Sequence, residues 1–448
     1  DTPSEIIYMQ DKKTGKTWSL GVNPMPDNSD YVVTYGLGYA KYKHTSMGVI
    51  QELDTFVAKE DSVKINLLNL KNLAPEKKKL KLVYYIKPVI GEDELLSKGC
   101  IELEQKNNTV IAKNNANENE EYIYVSSNEK IKSYTASKTF FIGKGTIANP
   151  EGLKKVELDN ESVEGINSII AIEIEVELEA FENKEISFIL GAQKSVLECQ
   201  DSSYKYSKIQ TCINEYENVK RYWRELVDKV QVNTPVESFN ILINGWLCYQ
   251  TIVSRLWGRT GFYQSGGAFG FRDQLQDTLG LKYYSPEFMK KQIIKHSRHQ
   301  FIEGDVEHWW HEETSKGIRT RFSDDLLWLV YVVIEYINTT GDYSILDEVT
   351  PYREGKILEE NVDEKYDLYP ESVYKEDIYH HCLKAIEKSL NFGENGLPKI
   401  GSGDWNDGMN RVGNKGKGES VWLGFFLYDV LAKFLPIIEQ RERRNSNK

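Results

Sequence analysis

The clearest pattern in the chain lies between residues 168 and 190. Ile170, Ile172, Ile174, Val176 and Leu178 alternate with Glu173, Glu175, Glu177 and Glu179. A period of two predicts a strand with one buried and one solvated face. A turn at Glu182-Asn183-Lys184 follows, and then Ile186, Phe188 and Leu190 alternate again. This predicts an antiparallel hairpin. Shorter versions recur upstream, as in Val63, Ile65 and Leu67 or Leu80, Leu82 and Tyr84, separated by polar loops such as Asn114 to Glu121. Many short strands with polar turns predict an antiparallel β-sandwich over residues 1–205.

The period then changes. From Ser207 to Val230 the apolar residues Ile209, Ile213, Tyr216, Val219, Trp223, Leu226 and Val230 recur at three or four. That spacing predicts an amphipathic helix, read as a linker over 206–233. Thr234-Pro235-Val236-Glu237 has the form of a capping box, starting a helix that runs to about Trp257. Ser323 is placed to cap a helix with Asp324 and Asp325 at its positive end and Gly341 at its stop. Another helix is expected from about Glu371 to Leu390, stopping at Gly393. The last, from Glu419, is apolar nearly all round and so expected to be buried on most sides. Residues 234–448 thus read as an all-helical domain with long loops, and such loops usually carry function.

Composition narrows the partners. The 448 residues exceed one ordinary domain. A net charge of -12 speaks against nucleic acid and anionic membrane surfaces, which demand clustered Lys and Arg. Five scattered cysteines without a CxxC pair read as reduced thiols in a cytoplasmic protein. No apolar run is expected to span a bilayer, which takes about 20 residues, and no signal pattern opens the chain. It starts at Asp1 without a methionine, which suggests a fragment or a processed chain. The 27 Tyr, 16 Phe and 9 Trp suit carbohydrate binding and a large core equally.

Candidate chemistry concentrates in three loops. GFYQSGGAFGFRDQLQD, Gly261 to Asp277, carries Arg272, Asp273 and Asp277; no strand precedes its glycines and no Lys-Ser/Thr follows, so a nucleotide site is disfavoured. Arg272 with Asp277 reads either as a charged fork for vicinal hydroxyls or as a structural ion pair. EGDVEHWWHEETSKGIRTR, Glu303 to Arg321, holds His308 and His311 near Glu307 and Glu312, a weak metal pattern with no further ligand cluster, while Trp309 and Trp310 suit a sugar platform. Asp325 is read as serving the helix dipole. GSGDWNDGMN, Gly401 to Asn410, sets Asp404 and Asp407 around Trp405. It reads either as a turn with an Asx hydrogen bond or as an active site in which a carboxyl beside an indole acts as general acid.

FGFRDQLQD, EGDVEHWWH, RTRFSDDLLWL and GSGDWNDGMNRVG, in this order behind a β domain and a helical linker, resemble glycoside hydrolase family 94. These are inverting phosphorylases acting on cellobiose, cellodextrins, chitobiose and β-1,2-glucans. The continuation RVGNKGKGESVWLGFFLYDVL is similar to the phosphorylase-type modules of cyclic β-1,2-glucan synthases. The resemblance implies a β-sandwich, a helical linker and an (α/α)6 barrel. It makes Asp407 the general acid, Trp405 the sugar-contacting indole, and Arg272 and Asp277 the pair holding the glucosyl unit at the non-reducing side of the cleaved bond. Asp404 and Asp273 are then substrate-binding or orienting groups. The co-substrate is inorganic phosphate, with no cofactor or metal, and the partner is a β-linked glucan or oligosaccharide. A homodimer is also implied. The chain is expected to hold only the first half of the barrel, with the family's phosphate-binding His and Thr-Gly residues beyond Lys448. By itself it is expected to expose apolar surface on the Val421 to Leu435 helix and neither to bind phosphate tightly nor to turn over.

Overall fold

The computed structural model describes residues 3–90, 99–116, 121–163, 167–258, 267–312 and 314–446. Residues 259–266 of the glycine-rich loop and 117–120 of the polar loop lie outside them. The chain divides into two compact units, Asp1–Glu225 and Leu226–Lys448.

The first unit is a sandwich of two antiparallel sheets. The five-stranded sheet runs in the order Ile131–Ser137, Ser168–Leu178, Lys78–Ile86, Glu5–Asp11, Thr17–Ser19. The eight-stranded sheet runs Val32–Gly36, Tyr39–Ser46, Val49–Val57, Val63–Asn72, Asn183–Gln193, Tyr122–Ser127, Thr109–Asn114, Ile101–Lys106. One core of Trp18, Leu68, Leu82, Tyr84, Ile172 and Phe188, among others, lies between them.

The alternating stretches are both strands, but not a hairpin. Ser168–Leu178 pairs with Lys78–Ile86 in the first sheet, whereas Asn183–Gln193 pairs with Val63–Asn72 in the second. The turn at residue 182 therefore crosses between sheets. Nor is the glutamate face wholly solvated. Glu173 is fully buried and ion-paired to Lys81 at 2.9 Å. Phe141, Leu153 and Leu158 fold back over this outer face and make a second core with Tyr8, Val83, Tyr85 and Ala171. The helix Ile209–Val227 packs on the sandwich as well, where Tyr216 donates to Asp54 at 2.7 Å and stands against Phe56.

The second unit is built on helices Phe271–Leu279, Pro286–Ser297, Asp325–Thr340, Ile378–Ser389 and Val421–Ser446. Asp325–Thr340 is the central one: nearly every residue from Asp325 to Ile337 is buried, and the helix ends at Gly341 in the left-handed conformation, φ 69°. Among the described residues the unit also holds six short strands that helical periodicity does not show. Phe269–Gly270, Glu307–His311, Lys316–Thr320 and Glu364–Leu368 form one antiparallel sheet, and Val349–Arg353 pairs with Glu371–Asp377.

Three helix starts differ from expectation. The helical stretch before Trp257 begins at Glu237 behind Val236, because the Thr234 hydroxyl is drawn to Asn240 at 2.8 Å instead of capping. Residues 371–377 are strand, and Asp377 caps the following helix by accepting from the His380 backbone N–H at 3.0 Å. Asp324, not Ser323, is the residue before the central helix. The last helix is buried along one stripe only. Leu423, Leu427, Val430, Phe434 and Ile437 enter the core, while Val421, Phe425, Tyr428 and Leu435 face outward. Contrary to the sequence expectation, Val421–Arg443 is long and apolar enough to cross a membrane by length and composition.

Candidate active site

The GSGDWNDGMN loop is stitched to the segment that enters the central helix. The Ser402 N–H donates to the Arg321 carbonyl at 3.1 Å, the Ser323 N–H donates to the Gly403 carbonyl at 3.0 Å, and the Ser323 hydroxyl donates to the Ile400 carbonyl at 2.9 Å. Gly401 adopts φ 63°, and a Cβ there would fall 2.0 Å from the Arg321 carbonyl oxygen, so only glycine fits. Two sequence segments about eighty residues apart are thereby held as one surface.

Arg272 binds this surface from the first turn of Phe271–Leu279. The residue is 6% exposed, and Nη1 donates to both Asp324 oxygens, at 3.1 and 3.2 Å, and to the Asp404 carbonyl at 2.9 Å. Nη2 donates to Asp407. Asp325 stands 3.8 Å from Nη1, and the Phe322 ring lies 5.7 Å beneath the guanidinium carbon. Burial alone would lower the Arg272 pKa, but the three carboxylates Asp324, Asp325 and Asp407 raise it, so the arginine is a fixed cation. Asp324 is itself raised, first by burial and then by the neighbouring Asp325 charge. His308 completes the cluster. Its Nδ1 lies 2.7 Å from Asp325 Oδ2 and its ring stacks on Phe322 at 4.4 Å and 4°. Burial works to lower the His308 pKa, yet Asp325 brings it above the ordinary value.

The two aspartates of the motif have different surroundings. Asp404 is buried, with Oδ1 accepting from the Asn406 N–H at 3.0 Å and Oδ2 from the Ser420 hydroxyl at 2.6 Å. Ser420 Oγ in turn accepts from the Leu423 N–H at 3.0 Å, at the start of the last helix. Asp404 therefore shapes the loop and anchors that helix. The Asp407 side chain is 60% exposed and Trp405 is 54% exposed. Of the two carboxylates, Asp407 alone is open to a ligand from outside.

Asp277 and Asp273 go elsewhere. Asp277 accepts from Arg255 Nε at 2.8 Å, and Asp273 lies 3.9 Å from Arg255 Nη2. Arg272 and Asp277 are not ion-paired to each other. Five residues along a helix turn about 500°, which leaves the two side chains about 140° apart. The sequence reading missed Asp324 and Asp325 as arginine partners and gave His308 no partner. The signal for them was available: an arginine beside a run of apolar helix needs carboxylates, and SDD supplies two.

His308, His311, Glu307 and Glu312 have four different destinations. His311 Nδ1 lies 3.1 Å from the Tyr366 hydroxyl, Glu307 lies 2.5 Å from His299 Nδ1, and Glu312 accepts from Trp310 Nε1 at 2.6 Å. Among the described residues no group of three or more His, Cys, Asp or Glu could hold a metal ion. Burial pushes the Glu307 carboxyl up to about 8 against the opposing effect of Arg353, and holds His299 well below the ordinary histidine value.

Comparison with known proteins shows the family of the chain. Residues 222–448 match the Glycosyl hydrolase 94 superfamily catalytic domain, and residues 1–209 match the Glycosyl hydrolase 94 supersandwich domain. The chain is 33% identical to the cyclic beta-(1,2)-glucan synthase NdvB of Rhizobium meliloti (strain 1021) over 98% of its own length and 16% of that protein. It is 25% identical to the N,N'-diacetylchitobiose phosphorylase of Vibrio furnissii, over 99% of its own length and 57% of the relative's. A 1,2-beta-oligoglucan phosphorylase of Listeria innocua is 25% identical over 51% of the chain and 21% of that protein. The chain thus spans little more than half of the phosphorylase it matches over its whole length.

Proposed function

The chain belongs to the glycosyl hydrolase 94 family, and from that premise we propose that the protein carrying it cleaves β-glucosidic bonds of glucans or oligosaccharides by inverting phosphorolysis. Inorganic phosphate is the co-substrate and α-glucose 1-phosphate the product. The observation that carries this reading is the division of labour in the motif: one carboxylate locked into the fold, Asp404, and one open beside an exposed indole, Asp407. An inverting hydrolase needs two working carboxyl groups about 6.5 to 9.5 Å apart, the second to activate water. Phosphate is already an anion and attacks C1 without a base. One acid is sufficient.

In this reading Asp407 delivers its proton to the glycosidic oxygen as the C1–O bond breaks, and phosphate forms its bond to C1 from the opposite face. Trp405 supplies a flat apolar face for the sugar ring. Arg272 is the fixed cation at the rear of the site. A glycan hydroxyl that accepts from Nη2 in place of Asp407 leaves the carboxyl free to turn toward the leaving oxygen. Asp324 and Asp404 hold the arginine and the loop still during that exchange.

A second reading is favoured by the 33% identity to a cyclic glucan synthase. There the chain is a carbohydrate-binding or chain-length-controlling module for β-1,2-glucan. The discriminating experiment is glucose 1-phosphate release from a panel of β-glucans by the full-length protein and its Asp407→Asn variant. Loss of release in the variant supports phosphorolysis by this acid, and the panel identifies the linkage. Full release by the variant refutes the role of Asp407.

A further inference from the structure

The Glu307–His311 strand contains an irregularity between Glu307 and Trp309, and this resolves the adjacent tryptophans into two environments. Glu307 and Trp310 meet the same buried imidazole: His299 is 2.5 Å from Glu307 and stacks on Trp310 at 3.7 Å. Trp310 is 1% exposed and belongs to the core. Trp309 turns to the other face, where its ring centroid lies 5.3 Å from that of Tyr366, tilted by 35°. His311 stands edge-on to both rings, at 82° and 86°, bracing the tyrosine hydroxyl. Tyr366 is 46% exposed. In the next row across the sheet, Lys316 pairs with Leu368, which is 54% exposed.

We propose that Trp309 and Tyr366 form a stacking subsite for a pyranose ring of a β-linked glucan, beyond the unit whose bond is cleaved. The inference rests on the glycan reading of the site above. Continuity supports it. Trp309 is the sheet neighbour of Gly270, which contributes no side chain over the indole and stands two residues before Arg272. His308, adjacent to Trp309, is bonded to Asp325 of the Arg272 cluster. The chemistry of the ledge also selects its occupant. Its rim mixes His311 and Lys316 with Glu364, which suits a neutral polyol rather than a polyion. Two rings and a leucine are far less than the roughly 800 Å² that each partner of a stable protein interface covers, but they match one or two sugar rings.

The test titrates β-1,2-gluco- and cello-oligosaccharides of two to five units against the full-length protein and its Trp309→Ala, Tyr366→Ala and Asp407→Asn variants, by calorimetry, with oligomeric state measured in parallel. The expected result is a loss of about tenfold in affinity for chains of three or more units in both aromatic variants, with disaccharide affinity unchanged. Asp407→Asn is expected to keep the gain in affinity with chain length. Equal losses for short and long chains, no loss in either variant, no glucan binding by the unsubstituted protein, or a change in oligomeric state without a change in glycan affinity would each overturn the proposal. Failure of the phosphorolysis reading is separate: it shows as glucose 1-phosphate release that persists in Asp407→Asn, whatever the chain-length dependence.

Discussion

Arg272 and Asp324, 52 residues apart in sequence, meet in the interior of the second unit with Nη1 at 3.1 and 3.2 Å from the two carboxylate oxygens. Asp324 is fully buried and also accepts from Trp328 Nε1 at 3.1 Å. The pair is what fixes the arginine edge that Asp407 meets.

Removing one partner of such a pair leaves the other charge buried alone, which typically costs 3–5 kcal/mol. Asp324→Ala is therefore expected to lower the stability of the second unit by about that amount, read as a lower denaturant midpoint. Asp324→Asn keeps the shape and is expected to cost less. Equal stability of the alanine variant and the parent would show that Arg272 finds another buried partner.

Arg272→Lys is expected to reduce glucan turnover at least about tenfold while Arg255→Lys changes it little. A lysine ammonium is a point charge and cannot hold Asp324, the Asp404 carbonyl and Asp407 with two separate nitrogens. The measurement is kcat/KM for both variants on the preferred glucan. Comparable losses would show that the Arg255–Asp277 pair matters to turnover as much as Arg272 does.

A double-mutant cycle separates the two arginine groups. Arg272 with Asp407 is expected to show coupling in oligosaccharide affinity, and Arg272 with Asp277 is expected to be additive within about 0.5 kcal/mol. Strong coupling of Arg272 with Asp277 would contradict the observed pairing with Arg255.

Ser420→Ala removes the hydroxyl that links Asp404 to the N-terminus of the last helix. A lost N-terminal cap usually costs about 1 kcal/mol. The expected outcome is a modest fall in stability together with faster amide exchange at Asn406 and Gly408, because the same hydroxyl restrains the loop. Unchanged exchange there would mean that the loop is held by Arg321 and Ser323 alone.

Glu307 makes stability pH-dependent. Its carboxyl is raised from 4.5 to about 8 in the fold, so between those values the native state holds a proton that the unfolded chain has lost. Stability from this group is present below about pH 4.5 and is lost as pH rises toward 8, with a slope of at most about 1.4 kcal/mol per pH unit. Glu307→Gln is neutral throughout and is expected to show a flatter decline between pH 6.5 and 8. Denaturant unfolding at several pH values checks this, and parallel slopes for the two proteins would assign the dependence to His308 or another group.

The sequence by itself determined what depends on neighbours along the chain. A period of two produced the strands, a period near 3.6 produced the central helix and its stop at Gly341, and the composition of GSGDWNDGMN marked a candidate loop. These features are set by backbone geometry within a few residues. Tertiary structure decided which charges meet and which faces are covered. Asp404 and Asp407 are equivalent by spacing, and only Ser420 on one side and solvent on the other distinguishes them. Arg272 took Asp324 rather than Asp277 because helical phase turns its side chain away from a residue five positions on. Trp309 and Trp310 were one feature in the sequence and became two in the fold, since an irregular strand sent one indole into the core and left the other partly buried on the opposite face. The segment from Phe141 to Leu158 covered a face that alternation alone assigned to water, and Glu173 is buried for that reason.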